Sequence, residues 1–297
     1  MKSVIQSILA IIILSACSAG LSLKNSSSLV QVNAPAGNFL GEGEENFYVF
    51  KGIPYAQPPV GDLRWKAPKN LSAKDEVIDA TKFKSECIQP GTEGLIPNRN
   101  VSVGSEDCLY LNIYIPKNQT DLDKNQFPVM FWIHGGSNIW GSGDFYDFSK
   151  LATTQQVIVV TINYRLGLFG WFSSEHLRNT ATGLDKSSNF GQLDLIKGLE
   201  WVQENISAFG GDKDNITIFG ESAGGHNVLT LLASPLSEGL FHKAISQSGY
   251  VSSYTQKFAE EESELSSKKI FAEETKFLVS DTEAVSYTHL RAHETSK

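Results

Sequence analysis

Cysteine is scarce, with three in 297 residues, and no group of cysteines and histidines has the spacing of a metal site. No glycine-rich dinucleotide loop is present, so neither a metal nor a nucleotide cofactor is expected. Positive charge is also short: 25 Lys and Arg against 33 Asp and Glu give a formal charge of -8, without a long basic run. That balance excludes the basic stripe with which a domain binds nucleic acid. There is no internal repeat, and the apolar stretch from Ile8 to Leu14 is too short to be a mature membrane span. What the chain does have, 41% hydrophobic against 20% charged residues, suits one large α/β domain with a substantial core.

Lys2, the apolar stretch and Leu14-Ser15-Ala16-Cys17 have the layout of a secretory signal whose end is similar to a bacterial lipobox. The expectation is that residues 1–16 are removed and that acyl chains on Cys17 hold the protein on a membrane surface without spanning it. A plain cleaved signal and an uncleaved anchor are the alternatives. In a Gram-negative cell Ser18 resembles the outer-membrane type of sorting signal, and the expectation is an exported lipoprotein at the outer membrane or periplasmic face. Residues 17–31, rich in Ser and small side chains, read as a flexible tether, and 32–284 as the body of the domain. Only Cys87 and Cys108 then remain, and an oxidising compartment favours their pairing. A bridge around residues 88–107 would stabilise by about 3 kcal/mol in the chain-entropy model; two buried free thiols are the alternative.

Phe127 to Ile133 is an unbroken apolar run and Val157 to Ile162 nearly so, each suited to a strand buried on both faces of a mostly parallel sheet. Ile216 to Phe219 is a third such strand. Between them Leu195, Leu199, Val202 and Ile206 recur at helical spacing, and Phe209-Gly210-Gly211-Asp212 supplies the stop. This alternation indicates an α/β sheet with covering helices.

Gly220-Glu221-Ser222-Ala223-Gly224 follows the third strand and precedes a helical pattern at Val228, Leu229 and Leu232, the context a nucleophile elbow requires. Ser222 is the candidate nucleophile. Such a serine needs donors aimed at the oxygen that becomes negative when the acyl carbon turns tetrahedral. His134-Gly135-Gly136-Ser137 directly follows the first buried strand, and the backbone N–H groups of Gly136, Ser137 and Ala223 are the candidate oxyanion-hole donors.

Longer segments carry a resemblance. Phe50 to Ala56, Pro58-Pro59-Val60-Gly61, Leu63-Arg64-Trp65 and Glu106 to Asn112 are similar to segments of the type-B carboxylesterase and cholinesterase family of α/β-hydrolases. So are Asn163 to Gly167, Asn205-Ile206 with Phe209 to Asp212, and Ala244 to Gly249. The resemblance implies a mostly parallel central sheet with covering helices, hydrolysis of small carboxylic esters through an acyl-enzyme, and, independently of the cysteine count, the Cys87–Cys108 disulfide. Where the family commonly has a third glycine in the oxyanion loop this chain has Ser137, whose N–H serves equally unless the position needs a positive φ.

A histidine base is harder to find. His226 lies in the helix after the elbow, its direction set by that helix rather than by the serine, and His242 reads as a surface residue. His289 and His293 fall in residues 285–297, which have no apolar periodicity and read as a non-native tail. In the family the acid and histidine lie on the order of a hundred and two hundred residues beyond the serine. The expectation is therefore an N-terminal portion of an esterase, without its acid and base. Phe258 to Phe277 reads as an amphipathic helix whose charges form a solvated face, and Glu221 as an electrostatic neighbour of the serine. The competing readings are a non-catalytic adhesion or binding module of the same fold, and a short self-sufficient esterase using His289 or His293.

Overall fold

The computed structural model describes residues 28–72, 76–93, 96–117, 126–264 and 266–274. The strands, in chain order, are β1 (Ser28–Ala34), β2 (Gly37–Gly43), β3 (Phe47–Pro54), β4 (Val77–Asp79), β5 (Gln89–Glu93), β6 (Ile96–Val103), β7 (Tyr110–Pro116), β8 (Phe127–Ile133), β9 (Ile158–Ile162), β10 (Gly211–Glu221) and β11 (Lys243–Gln247). The α-helices are α1 (Ser149–Gln155), α2 (Gly167–Gly170), α3 (Glu175–Thr180), α4 (Phe190–Asn205), α5 (Ala223–Ala233) and α6 (Ser267–Glu274).

The main sheet has the order β1-β2-β3-β7-β9-β8-β10-β11, with β4 beside β2; β5 and β6 form a separate hairpin. It is mixed rather than mostly parallel. From β1 to β9 each neighbour is antiparallel, whereas β9-β8-β10-β11 is parallel. The connections explain the division: Pro35 and Ala36 suffice to turn β1 into β2, but parallel neighbours need a crossover, and α1, α4 and α5 supply one after β8, β9 and β10.

The apolar runs occupy the centre of this sheet. All of Ile158 to Ile162 is buried, as are Val129, Phe131, Trp132 and Ile133 of β8. Leu195, Leu199 and Val202 of α4 and Ile206 of the next turn are each 0% exposed against it, and burying one such side chain is worth roughly 1.5–3 kcal/mol. The helix then stops at Gly210, whose left-handed φ of 83° reverses the chain into β10. One polar side chain sits inside the sheet with its needs met: Asn112 Oδ1 accepts from Gly52 N–H, and its Nδ2 donates to Thr161 Oγ1.

Two further expectations are revised. Residues 28–31, assigned to the tether, form the first half of β1 and pair with β2 from Ser28↔Gly43 to Gln31↔Leu40. Within the expected helix from Phe258 to Phe277, the described residues form two short helices, a π-helix at Phe258–Glu262 and α6. Their charges are not all solvated, because Glu260 is buried, accepts from Ser173 Oγ at 2.6 Å and pairs with Arg178. The signal at 1–16, Cys17, most of the tether and the tail at 285–297 with His289 and His293 lie outside the described residues.

Candidate active site

Ser222 lies between the end of β10 and the start of α5 at φ 56° and ψ -120°. A non-glycine residue in such a region costs of order 1–3 kcal/mol and persists only where its surroundings hold it. Here the Ser222 N–H donates to Gln247 O at 2.9 Å, and the Ser222 carbonyl accepts from His226 N–H at 3.0 Å. The flanking glycines permit the turn by close approach. A Cβ on Gly224 would stand 2.0 Å from Ile133 O, and one on Gly220 would stand 2.6 Å from Gly224 C. Strand β10, helix α5 and the end of β8 are therefore in backbone contact, and no side chain fits between them.

The loop after β8 reaches the serine. A Cβ added to Gly135 would lie 3.2 Å from Ser222 Cβ and 2.8 Å from Glu221 O. Gly136, Ser137 and Asn138 then follow with φ of 97°, 58° and 57°. The Gly136 carbonyl accepts from Ile139 and Trp140 N–H at 2.9 and 3.1 Å, which closes a tight turn. Among the described residues no backbone carbonyl outside the regular elements takes the N–H of Gly136, Ser137 or Ala223. Position 137 does adopt a positive φ, and serine tolerates it at a cost of roughly 1–2 kcal/mol; its N–H is retained.

The structure packs Gly135, at the head of this loop, against Ser222, with Ala223 next in the chain, and among the described residues no histidine side chain is hydrogen-bonded to Ser222. His226 Nδ1 donates to Tyr250 O and its ring packs on Tyr250. His242 sits at the opposite end of β11 from Gln247, donating to Ile216 O at 2.8 Å and accepting from Ile216 N–H at 3.1 Å. His134 is 1% exposed, stacks on Tyr164 with ring centres 4.3 Å apart, and donates to Gly135 O at 2.8 Å. Burial pushes its pKa down to about 4, so it is neutral at pH 7.

The expected disulfide is present, and several residues near it carried no assigned role in the sequence. Cys87 and Cys108 form a disulfide. Two residues beyond Cys87, Gln89 is buried and clamps the far end of the loop after β8: Oε1 accepts from Gly141 N–H at 2.7 Å and Nε2 donates to Gly141 O at 3.0 Å. Asn163 Oδ1 accepts from Gly143 N–H at 2.7 Å and Ser142 Oγ at 3.2 Å. Beside it Arg165, 3% exposed, makes a bidentate pair with Asp194, 0% exposed, at 2.8 and 2.7 Å, and Asp194 also accepts from Arg165 N–H. Asn163 and Arg165 stand within one of the segments quoted above. Gln89 had no local signal, since its partner is 52 positions away.

A serine on a strand-to-helix elbow of a mixed sheet, with a glycine loop from the adjacent parallel strand packed against it, defines an α/β-hydrolase. The Carboxylesterase family model matches residues 28–297, and the chain belongs to that family. The matched interval takes in the residues set apart as a tail. Para-nitrobenzyl esterase of Bacillus subtilis (strain 168) is 47% identical over 220 residues, covering 73% of this chain and 43% of the relative. Carboxylesterase 1E of Rattus norvegicus is 44% identical over 239 residues, covering 75% and 41%. Among solved structures a thermophilic PNB esterase superposes with a TM-score of 0.65 at 45% identity, over 74% of this chain and 44% of that one. The Geobacillus stearothermophilus carboxylesterase gives 0.62 at 45% identity, over 72% and 42%. The chain thus spans less than half the length of these relatives.

Proposed function

We propose that Ser222 is the nucleophile of a carboxylic ester hydrolase. The observation that carries this reading is the contact of Gly135 with Ser222, which supports the Gly136 and Ser137 N–H groups that follow it, with that of Ala223, as the oxyanion donors. In the proposed reaction Ser222 Oγ attacks the ester carbonyl and its proton passes to a base. The three N–H groups receive the oxyanion, the alcohol leaves, and water releases the acyl group. The base and the acid that orients it are proposed to come from polypeptide beyond the described residues. In support, no described histidine pairs with Ser222, and the named relatives are more than twice as long as the matched stretch. The substrates proposed are small carboxylic esters, in keeping with the relatives' names, and the site of action is a membrane surface reached through a lipid on Cys17, supported by the Leu14 to Cys17 sequence.

The test reads the source DNA beyond the codon for Ala284, then assays p-nitrophenyl acetate with residues 18–297 and with the continued frame, each beside Ser222→Ala. The reading expects turnover by the continued protein, loss of it in Ser222→Ala, and only slow background from residues 18–297. Full Ser222-dependent turnover by residues 18–297 would place the base within the chain, and His289→Ala and His293→Ala would locate it. Turnover that survives Ser222→Ala would overturn the serine reading.

A further inference from the structure

Asn138 and Asn227 are 89 positions apart, one in the oxyanion loop and the other on the nucleophile helix, and their side-chain amides meet: Asn227 Nδ2 donates to Asn138 Oδ1 at 2.9 Å. Asn227 is 1% exposed and stands one turn beyond Ala223 on α5. Asn138 follows Ser137 directly, in the same left-handed conformation. Its backbone carbonyl accepts from Gly167 N–H at 2.7 Å, and its Oδ1 is also 3.4 Å from the Tyr164 hydroxyl, which donates to His134 O at 2.6 Å.

The two arms of the proposed oxyanion hole come from different elements, Gly136 and Ser137 from the loop and Ala223 from the helix. Their relative position decides whether the N–H groups meet one oxygen. Backbone packing at Gly135 and Gly224 limits how closely the arms approach but places no restraint on the loop swinging away. A directional hydrogen bond does, and a buried amide left unpaired is costly, so the pair favours a single arrangement.

We infer that Asn138 and Asn227 form a positioning strut that locks the oxyanion loop onto the nucleophile helix. Its catalytic meaning rests on the proposed esterase reading, whereas the strut itself is a property of the fold.

The test uses the full chain in Asn138→Ala, Asn227→Leu, the double variant and Asn138→Asp, which keeps the acceptor. Hydrogen exchange over residues 135–140 reads the strut without requiring turnover. Equilibrium binding of phenylboronic acid reads the hole: boron accepts a lone pair from Ser222 Oγ, the hydroxyl proton passes to the buffer, and an anionic tetrahedral adduct results.

The strut predicts that each single loss variant speeds exchange of the loop about 10-fold and weakens the boronate about 10-fold, that the double variant adds little, and that Asn138→Asp keeps slow exchange. A melting temperature close to wild type for Asn138→Ala separates this from global unfolding. Unchanged loop exchange, or fully additive effects in the double variant, overturns the strut. Faster exchange with unchanged boronate affinity overturns its positioning role. Boronate binding that is insensitive to Ser222→Ala overturns the esterase reading instead, and the exchange data still decide the strut.

Discussion

The carbonyl oxygen of Ile133, at the end of β8, lies where a Cβ on Gly224 would stand, 2.0 Å away. This contact sets how closely the elbow helix α5 can approach the end of β8. Gly224→Ala must separate β8 from α5, and the expected cost is at least 1–3 kcal/mol, as for an overpacked core. A urea melt of the variant measures it; stability equal to wild type would mean that the two backbones are not in contact.

Ser137 offers a change in the opposite direction. Its φ of 58° strains a serine but not a glycine. Ser137→Gly retains the N–H and is expected to raise stability by about 0.5 kcal/mol after the added chain entropy of glycine is offset. A lower melting temperature would show that the serine side chain contributes a contact of its own.

His134 sets a pH dependence. Burial lowers its folded pKa from 6.5 to about 4, so the unfolded chain binds a proton that the folded chain does not accept between these values. Stability from this group is complete above pH 6.5 and falls as the pH drops towards 4, by about 3 kcal/mol in all. His134→Phe keeps the stacking on Tyr164 and should flatten the stability curve over that window, which denaturation at pH 4.5 and 7 compares directly.

The Arg165–Asp194 pair is buried on both sides. Asp194→Asn leaves a guanidinium enclosed without a counter-charge and is expected to destabilise by about 3–5 kcal/mol. Replacing Arg165 by Met together with Asp194 by Leu should restore much of that loss, a double-variant result that a purely steric role would not give.

How much of this was legible in the sequence follows from the range of the interactions. Strands β8, β9 and β10 are apolar runs, and the elbow is five consecutive residues, so local patterns suffice for both. β1 was taken in part for tether because its exposed edge position favours Ser28, Leu29 and Gln31 on an open face, where no apolar alternation is imposed. The Asn138–Asn227, Gln89–Gly141 and Ser173–Glu260 contacts join residues 89, 52 and 87 positions apart, and a polar side chain gives no local sign that its partner waits that far along the chain. The disulfide was legible because Cys87 and Cys108 are left once Cys17 is read as part of the lipobox-like segment, and because the resemblance implied the same pair.

The central claim is that Ser222 is the nucleophile. Its most direct measurement is peptide mapping of the protein after reaction with a fluorophosphonate. A Ser222 nucleophile gives one adduct, on the peptide containing Ser222, with no labelling in Ser222→Ala. An unmodified Ser222 in folded protein that still hydrolyses p-nitrophenyl acetate would contradict it.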